Sequence, residues 1–383
     1  MRYEIVSKLA LVRGAALALA LILPLADGLR AQEHHDHMHM EAHSAHTEHL
    51  SQAPIGVMGE HTHERGRFML SYRYMFMRMD GIKDGDDKVS ASSVLSRFMV
   101  APLHMNMQMH MVGAMFALTD KINLMAMVPY VQISMEHLMR NGEKMTEETS
   151  GLGDIKLSGL WKFAEVVSGR THHAFILNMG VSLPTGSIKK RGAAHASHDD
   201  QMHMMGDSHD DMGGDMGGDG SARLSYPMQL GSGTVDLLPG LTYTGSQGAW
   251  HWGSQAMGTI RLGENDNDYR LGNRFAFTTW GARNLSEWVS ASLRLNLEVW
   301  GNIHGRDPQI DPTVSPMADP KRQAGRRLSA LFGLNFYTTK GPRLLRGHKF
   351  GVEGGLPLYE HLDGPALETD FVLTAGWQYA FSL

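Results

Sequence analysis

The stretch Phe68-Met69-Leu70-Ser71-Tyr72-Arg73-Tyr74-Met75-Phe76-Met77-Arg78-Met79 alternates in character residue by residue. Phe68, Leu70, Tyr72, Tyr74 and Phe76 are apolar or aromatic, whereas Met69, Ser71, Arg73, Met75 and Met77 form a mixed set. Successive strand side chains point to opposite faces, so a period of two with one apolar face reads as a β-strand. The face that carries Arg73 should turn away from lipid. Met69, Arg73, Met75 and Met77 are therefore candidate lumen residues, with Met79 at their outer end.

The same alternation recurs along the chain. Leu293, Leu295, Leu297 and Val299 oppose Arg294, Asn296 and Glu298, for example. About twelve strands are expected, near 66–79, 96–117, 122–139, 151–164, 171–183, 231–244, 250–263, 269–282, 287–303, 326–338, 349–359 and 367–383. Short connections near 118–121, 165–170, 245–249 and 283–286 alternate with longer polar ones near 80–90, 140–150, 184–230 and 304–325. Short turns on one rim and long loops on the other are the habit of a transmembrane, antiparallel, up-and-down β-barrel. No internal stretch reaches the roughly 18 apolar residues that a spanning helix needs.

The flanks agree with this all-β reading. Arg2, Lys8 and Arg13 precede an apolar run from Gly14 to Leu25, so residues 1–31 read as a secretory signal peptide. Residues 32–65 have little apolar bulk and read as a disordered, His/Met-rich periplasmic tail. The barrel is expected over 66–383, with a Met/His/Asp-rich outer loop at 185–230. The chain closes on Thr374-Ala375-Gly376-Trp377-Gln378-Tyr379-Ala380-Phe381-Ser382-Leu383, whose alternating aromatics resemble the C-terminal signal by which bacterial outer-membrane proteins reach the barrel-assembly machinery. It departs from that signal in ending on Leu. The absence of cysteine suits an oxidising periplasm and removes disulfides and thiolate metal sites. The expected location is the outer membrane of a Gram-negative bacterium, with outer-membrane lipid as a partner.

Three groups of words recur in order: Gly151-Leu152-Gly153-Asp154-Ile155-Lys156-Leu157, Gly180-Val181-Ser182-Leu183-Pro184-Thr185-Gly186 and Gly231-Ser232-Gly233-Thr234-Val235-Asp236. With Val128-Pro129-Tyr130 they resemble the outer-membrane barrel family labelled as transporters of the MetA pathway of phenol degradation. That resemblance implies an outer-membrane barrel and transport, and says little about substrate. In its richness in Met and His the chain also resembles outer-membrane proteins of copper-resistance systems.

The composition is unusual in two residue types, with 28 Met and 22 His. Imidazole suits copper, zinc and nickel, and thioether favours Cu(I), so together they point to a soft transition metal, copper first. In the tail the candidate ligands are His34, His35, His37, Met38, His39, Met40, His43, His46, His49, His61 and His63. In the outer loop they are His195, His198, Met202, His203, Met204, Met205, His209, Met212 and Met216, among seven Asp. In the second strand Met105, Met107, Met109 and Met111 alternate with His104, Asn106, Gln108 and His110. The polar set is expected to face the lumen and the methionines to touch lipid.

A net charge of −5 offers no nucleic-acid footprint. There is no HExxH, GxSxG or P-loop, so no enzyme is expected and no cofactor is required. The leading reading is an outer-membrane transport or channel protein that binds and passes, or traps, a soft transition metal, copper first. The alternatives are a channel for small aromatic or hydrophobic solutes and a non-conducting barrel that sequesters metal.

Overall fold

A computed structural model describes residues 51–193, 221–338 and 346–382. The expected signal peptide, the tail through residue 50 and the loop residues 194–220 lie outside the described residues. In chain order the strands are β1 (Arg67–Gly85), β2 (Asp87–Val89), β3 (Val100–Ala117), β4 (Ile122–Met139), β5 (Lys144–Leu152) and β6 (Ile155–Ser168). There follow β7 (Thr171–Leu183), β8 (Arg191–Ala193), β9 (Ser221–Arg223), β10 (Val235–Gln247), β11 (Trp250–Leu262) and β12 (Tyr269–Arg270). The last are β13 (Arg274–Asn284), β14 (Val289–Trp300), β15 (His304–Gly305), β16 (Gly325–Tyr337) and β17 (His348–Ser382).

Eleven of these elements form one antiparallel ring, running β1, β3, β4, β6, β7, β10, β11, β13, β14, β16 and β17, and β17 pairs back onto β1. The chain is thus the closed up-and-down barrel that the alternation predicts. β17 is 35 residues long, about 115 Å if straight, whereas a tilted strand crosses a bilayer in roughly 10 residues. It therefore doubles back. Residues up to Leu362 pair with β16, and those from Leu362 onward pair with β1. The Ala380 N–H donates to the Gly347 carbonyl at 3.4 Å, tying one arm to the other. Counting both arms, twelve segments cross the barrel, as the expected strands at 349–359 and 367–383 require.

The inner and outer faces follow the alternation. Leu124, Trp161, Leu241, Leu293, Phe332 and Leu356 are exposed on the outside, while Asn178, Thr242, Gln255, Arg294 and Glu353 are buried within. An apolar exterior around a polar interior inverts the soluble pattern and suits a lipid surround.

The differences from expectation are local. The segment 140–150 is a short turn followed by β5, which extends the outer end of β4 in register from Tyr130↔Leu152 to Leu138↔Lys144. The residues before β3 form a short helix, Ala91–Leu95, capped by Ser90, whose Oγ accepts from the Ser93 N–H.

Candidate functional site

The interior has two unlike walls. β1 and β3 pair with Met69 opposite Met115, Met75 opposite Met109, Met77 opposite Met107 and Met79 opposite Met105. Directly opposite residues of an antiparallel pair share a face, so the β3 methionines join those of β1. β4 continues the set, with Met135 opposite Met105, Met127 opposite Gly113 and Met125 opposite Met115. Burial agrees with this facing, since Met69, Met105, Met115, Met127 and Met135 are all buried. At the outer end Met105 and Met135 pack beneath loop residues Leu224, Met228 and Met317. At the inner end Met69 and Met115 pack with Leu160 and Ile176. Between them Met75, Met77, Met107, Met109 and Met111 are only half-buried and line the interior.

This corrects the reading of β3. His104, Asn106, Gln108 and His110 face outward, and the methionines face the lumen. Two of the outward polar groups are satisfied locally: Tyr72 Oη lies 2.7 Å from His110 Nδ1, and Tyr74 Oη donates to Gln108 Oε1 at 3.0 Å. Tyrosines on the neighbouring strand supply partners that polarity along β3 alone does not reveal. The expected lumen placement of Met69, Arg73, Met75 and Met77 agrees with the register.

The second wall, on β13, β14, β16 and the first arm of β17, is ionic, and it reaches the methionines where Arg327 Nη1 lies 4.0 Å from Met77 Sδ. Arg294 grips Glu353 through two bonds of 2.8 Å, with Glu353 fully buried. Arg327 lies 3.5 Å from Glu360 and 3.7 Å from Glu298, and Arg274 pairs with Glu298.

Residues 51–63 lie inside the ring near the inner rim, so this part of the expected tail is ordered. Ile55 is 1% exposed. A turn, with the Val57 N–H donating to the Pro54 carbonyl at 3.0 Å, inserts Ile55 and Val57 as an apolar tip. Backbone carbonyls of this plug accept from the wall: Ala53 from Lys349 Nζ at 2.7 Å, Ile55 from Arg73 Nε at 2.9 Å, and Met58 from Gln255 Nε2 at 2.8 Å. Gly56 lies against the Arg294–Glu353 pair, where a Cβ would overlap the Glu353 carboxylate and lie 2.6 Å from Arg294 Nη2. Glu60 accepts from Ser51 Oγ and from His61 Nδ1, the latter at 2.8 Å. Burial would raise the Glu60 carboxyl, but the His61 ring and Lys349 outweigh it and hold the group far below the ordinary carboxylate range. This insertion is missed in the sequence, where residues 32–65 read as a disordered tail; the apolar Ala53-Pro54-Ile55-Gly56-Val57 within polar surroundings is the one local signal of it.

The three groups of words quoted above meet at the outer rim. Asp154 accepts from the Gly186 N–H at 2.9 Å, and from the Ser232 N–H and Oγ–H at 2.8 Å each. Thr185 Oγ1 donates to the Gly153 carbonyl at 2.9 Å. A Cβ on Gly186 would lie 2.6 Å from Gly231 Cα, so both glycines are needed for this approach. The words thus clasp the starts of β6 and β10 to the end of β7, a task of architecture that carries no substrate information.

Of the candidate metal ligands, His34, His35, His37, Met38, His39, Met40, His43, His46 and His49 lie outside the described residues. So do His195, His198, Met202, His203, Met204, Met205, His209, Met212 and Met216. His61 and His63 are described and sit beside the plug, His63 buried. Among the described residues no three His, Asp or Glu side chains converge on one point as a metal cage.

No family model matches the chain. No curated protein matches it either. Among solved structures, an outer membrane channel from Pseudomonas putida F1 aligns at a TM-score of 0.53 with 13% identity, over 84% of this chain and 98% of that one. A Pseudomonas aeruginosa FadL homologue aligns at 0.35 with 10% identity, over 82% and 89% of the two chains. At such identities the likeness is one of fold, and only the first score is high enough to bear on it. It agrees with the all-β barrel. The phenol-degradation and copper-resistance resemblances gain nothing from these matches.

Proposed function

We propose that the protein is an outer-membrane channel for small aromatic and other hydrophobic solutes. The observation that carries this reading is the half-buried methionine strip of Met75, Met77, Met107, Met109 and Met111, which runs beside an ionic wall. Thioethers are apolar, polarizable and flexible, and they make favourable contacts with aromatic rings of about 0.3–1.5 kcal/mol each. Contacts of that size, repeated along a path, retain a ring without trapping it, as conduction requires. Beside the strip, the Arg327 guanidinium is a donor for a hydroxyl or carboxylate on the same solute, and its partners Glu298 and Glu360 are acceptors for a hydroxyl. The exposed apolar exterior and the likeness in fold to an outer membrane channel support the location.

The test is flux through the reconstituted barrel. Benzoate suits it, because its charge keeps it out of lipid while its ring addresses the thioethers. Benzoate should enter proteoliposomes faster than lactate, a smaller anion of equal charge. Replacing Met75, Met77, Met109 and Met111 with Gln should abolish that preference. Equal fluxes of the two anions, or a preference that survives the replacements, would refute the reading.

A further inference from the structure

We infer that His61, His63 and Met69 form a binding site for a soft monovalent cation of the Cu(I) class, seated where the plug meets the inner end of the methionine wall. His61 Nε2 and His63 Nε2 are 3.2 Å apart, and His63 Nε2 is 3.5 Å from Met69 Sδ. Around a tetrahedral ion with nitrogen at about 2.0 Å and sulfur at about 2.3 Å, two ligand nitrogens stand about 3.3 Å apart and a nitrogen and a sulfur about 3.5 Å apart. Both observed edges have those lengths. The ring of His61 is also oriented for the task. A carboxylate only accepts, so His61 Nδ1 carries the proton given to Glu60, and Nε2 is left with its lone pair toward His63. Carboxylate support behind an imidazole of this kind is the usual second layer of a metal site.

The donor set selects the metal. Two imidazoles and a thioether contain no anionic ligand, and thioether sulfur is a soft donor that favours Cu(I), and by the same softness Ag(I), over zinc or magnesium. Access is one-sided. The His63 and Met69 residues are 5% and 6% exposed, whereas the His61 side chain is 20% exposed, so an ion arrives past His61. The metal-free alternative is a His63 Nε2–H shared between His61 Nε2 and Met69 Sδ, which would give the same two distances, and the silver titration below separates the two. The inference does not depend on the solute channel, since the ligands lie at the plug and not along the half-buried strip.

The experiment uses full-length protein carrying methyl-labelled methionine, titrated with Ag(I) as an air-stable probe and followed by NMR, with Zn(II) run in parallel. Other methionines and histidines of the chain will also take silver, so the readout is the Met69 methyl itself, assigned from a Met69→Leu variant. The expected result is a Met69 shift that saturates at one equivalent with Ag(I) and does not occur with Zn(II). His63→Gln should weaken the response at Met69 at least tenfold. Met69→Leu, which keeps the packing and removes the sulfur, should retain the folded barrel on a heat-modifiability gel. A Met69 methyl that stays in place while other methyls move, or one that moves equally with Zn(II), overturns the site. Unchanged Met69 behaviour in His63→Gln overturns it as well. Benzoate flux is unaffected by any of these outcomes, so the two proposals fail separately.

Discussion

Lys349 makes two bonds from wall to plug, and replacing it with methionine tests whether the plug is held from the wall. Its Nζ donates to the Ala53 carbonyl at 2.7 Å and to Ser51 Oγ at 3.4 Å, and its charge faces Glu60. A hydrogen bond from a charged group contributes roughly 1.5–3 kcal/mol. Lys349 is 1% exposed, so the variant also sheds the desolvation of the ammonium, and the net loss belongs at the lower end of that range. At about 1.4 kcal/mol per decade, Lys349→Met should raise the unseated fraction of the plug about tenfold. Two readouts follow it: open probability in planar bilayers, and hydrogen exchange at residues 53–60. Lys349→Arg keeps the charge and should stay close to the parent on both. Unchanged exchange and unchanged open probability in a folded Lys349→Met barrel would refute the claim that these bonds hold the plug.

Arg294→Met strands the buried Glu353 carboxylate and should cost the barrel about 3–5 kcal/mol, whereas the double variant Arg294→Met/Glu353→Met should recover most of it. Urea unfolding in lipid vesicles measures both. Asp154→Asn keeps one acceptor oxygen and turns the other into a donor, so either Gly186 or Ser232 loses its acceptor and the rim should weaken by about 1–3 kcal/mol, seen as faster proteolytic nicking between β7 and β10 without loss of the ring. The folded Glu60 carboxyl titrates below its ordinary value of 4.5, so its contribution is complete above that pH and is lost as the pH falls beneath it. Exchange protection of residues 51–63 should not fall between pH 7 and about 5, and should fall below 4.5.

Much of the barrel is legible in the sequence because a strand between lipid and a filled interior must alternate. β4 and β7 occupy the residues read for them, 122–139 and 171–183. The faces of β1 are equally plain, because Arg73 has only one tolerable side. β3 shows the limit of the rule. Its two faces are methionine and His/Asn/Gln, and either is acceptable inside. Only the register with β1 decides, and the tyrosines that make the outward face tolerable lie on another strand. β5 was hidden for a different reason: Lys144 to Ser150 has no apolar face, because it rises beyond the lipid. The plug depends on partners such as Lys349 and Asn335, far along the chain, which no local pattern connects to Ala53.

The doubled-back last strand determines how the molecule can come into being. Arg67 pairs with Ser382, so the first strand closes onto a partner far along the chain. Until that hairpin arrives, the curled sheet has two open edges, β1 and whichever strand was laid down most recently, and an unpaired ladder is untenable in hydrocarbon. Contacts joining the two ends of a chain are also the slowest to find. Closure is therefore a single, late, all-or-none event, and trimming the last ten residues reopens the seam along the membrane-crossing part of β1 instead of fraying one tip.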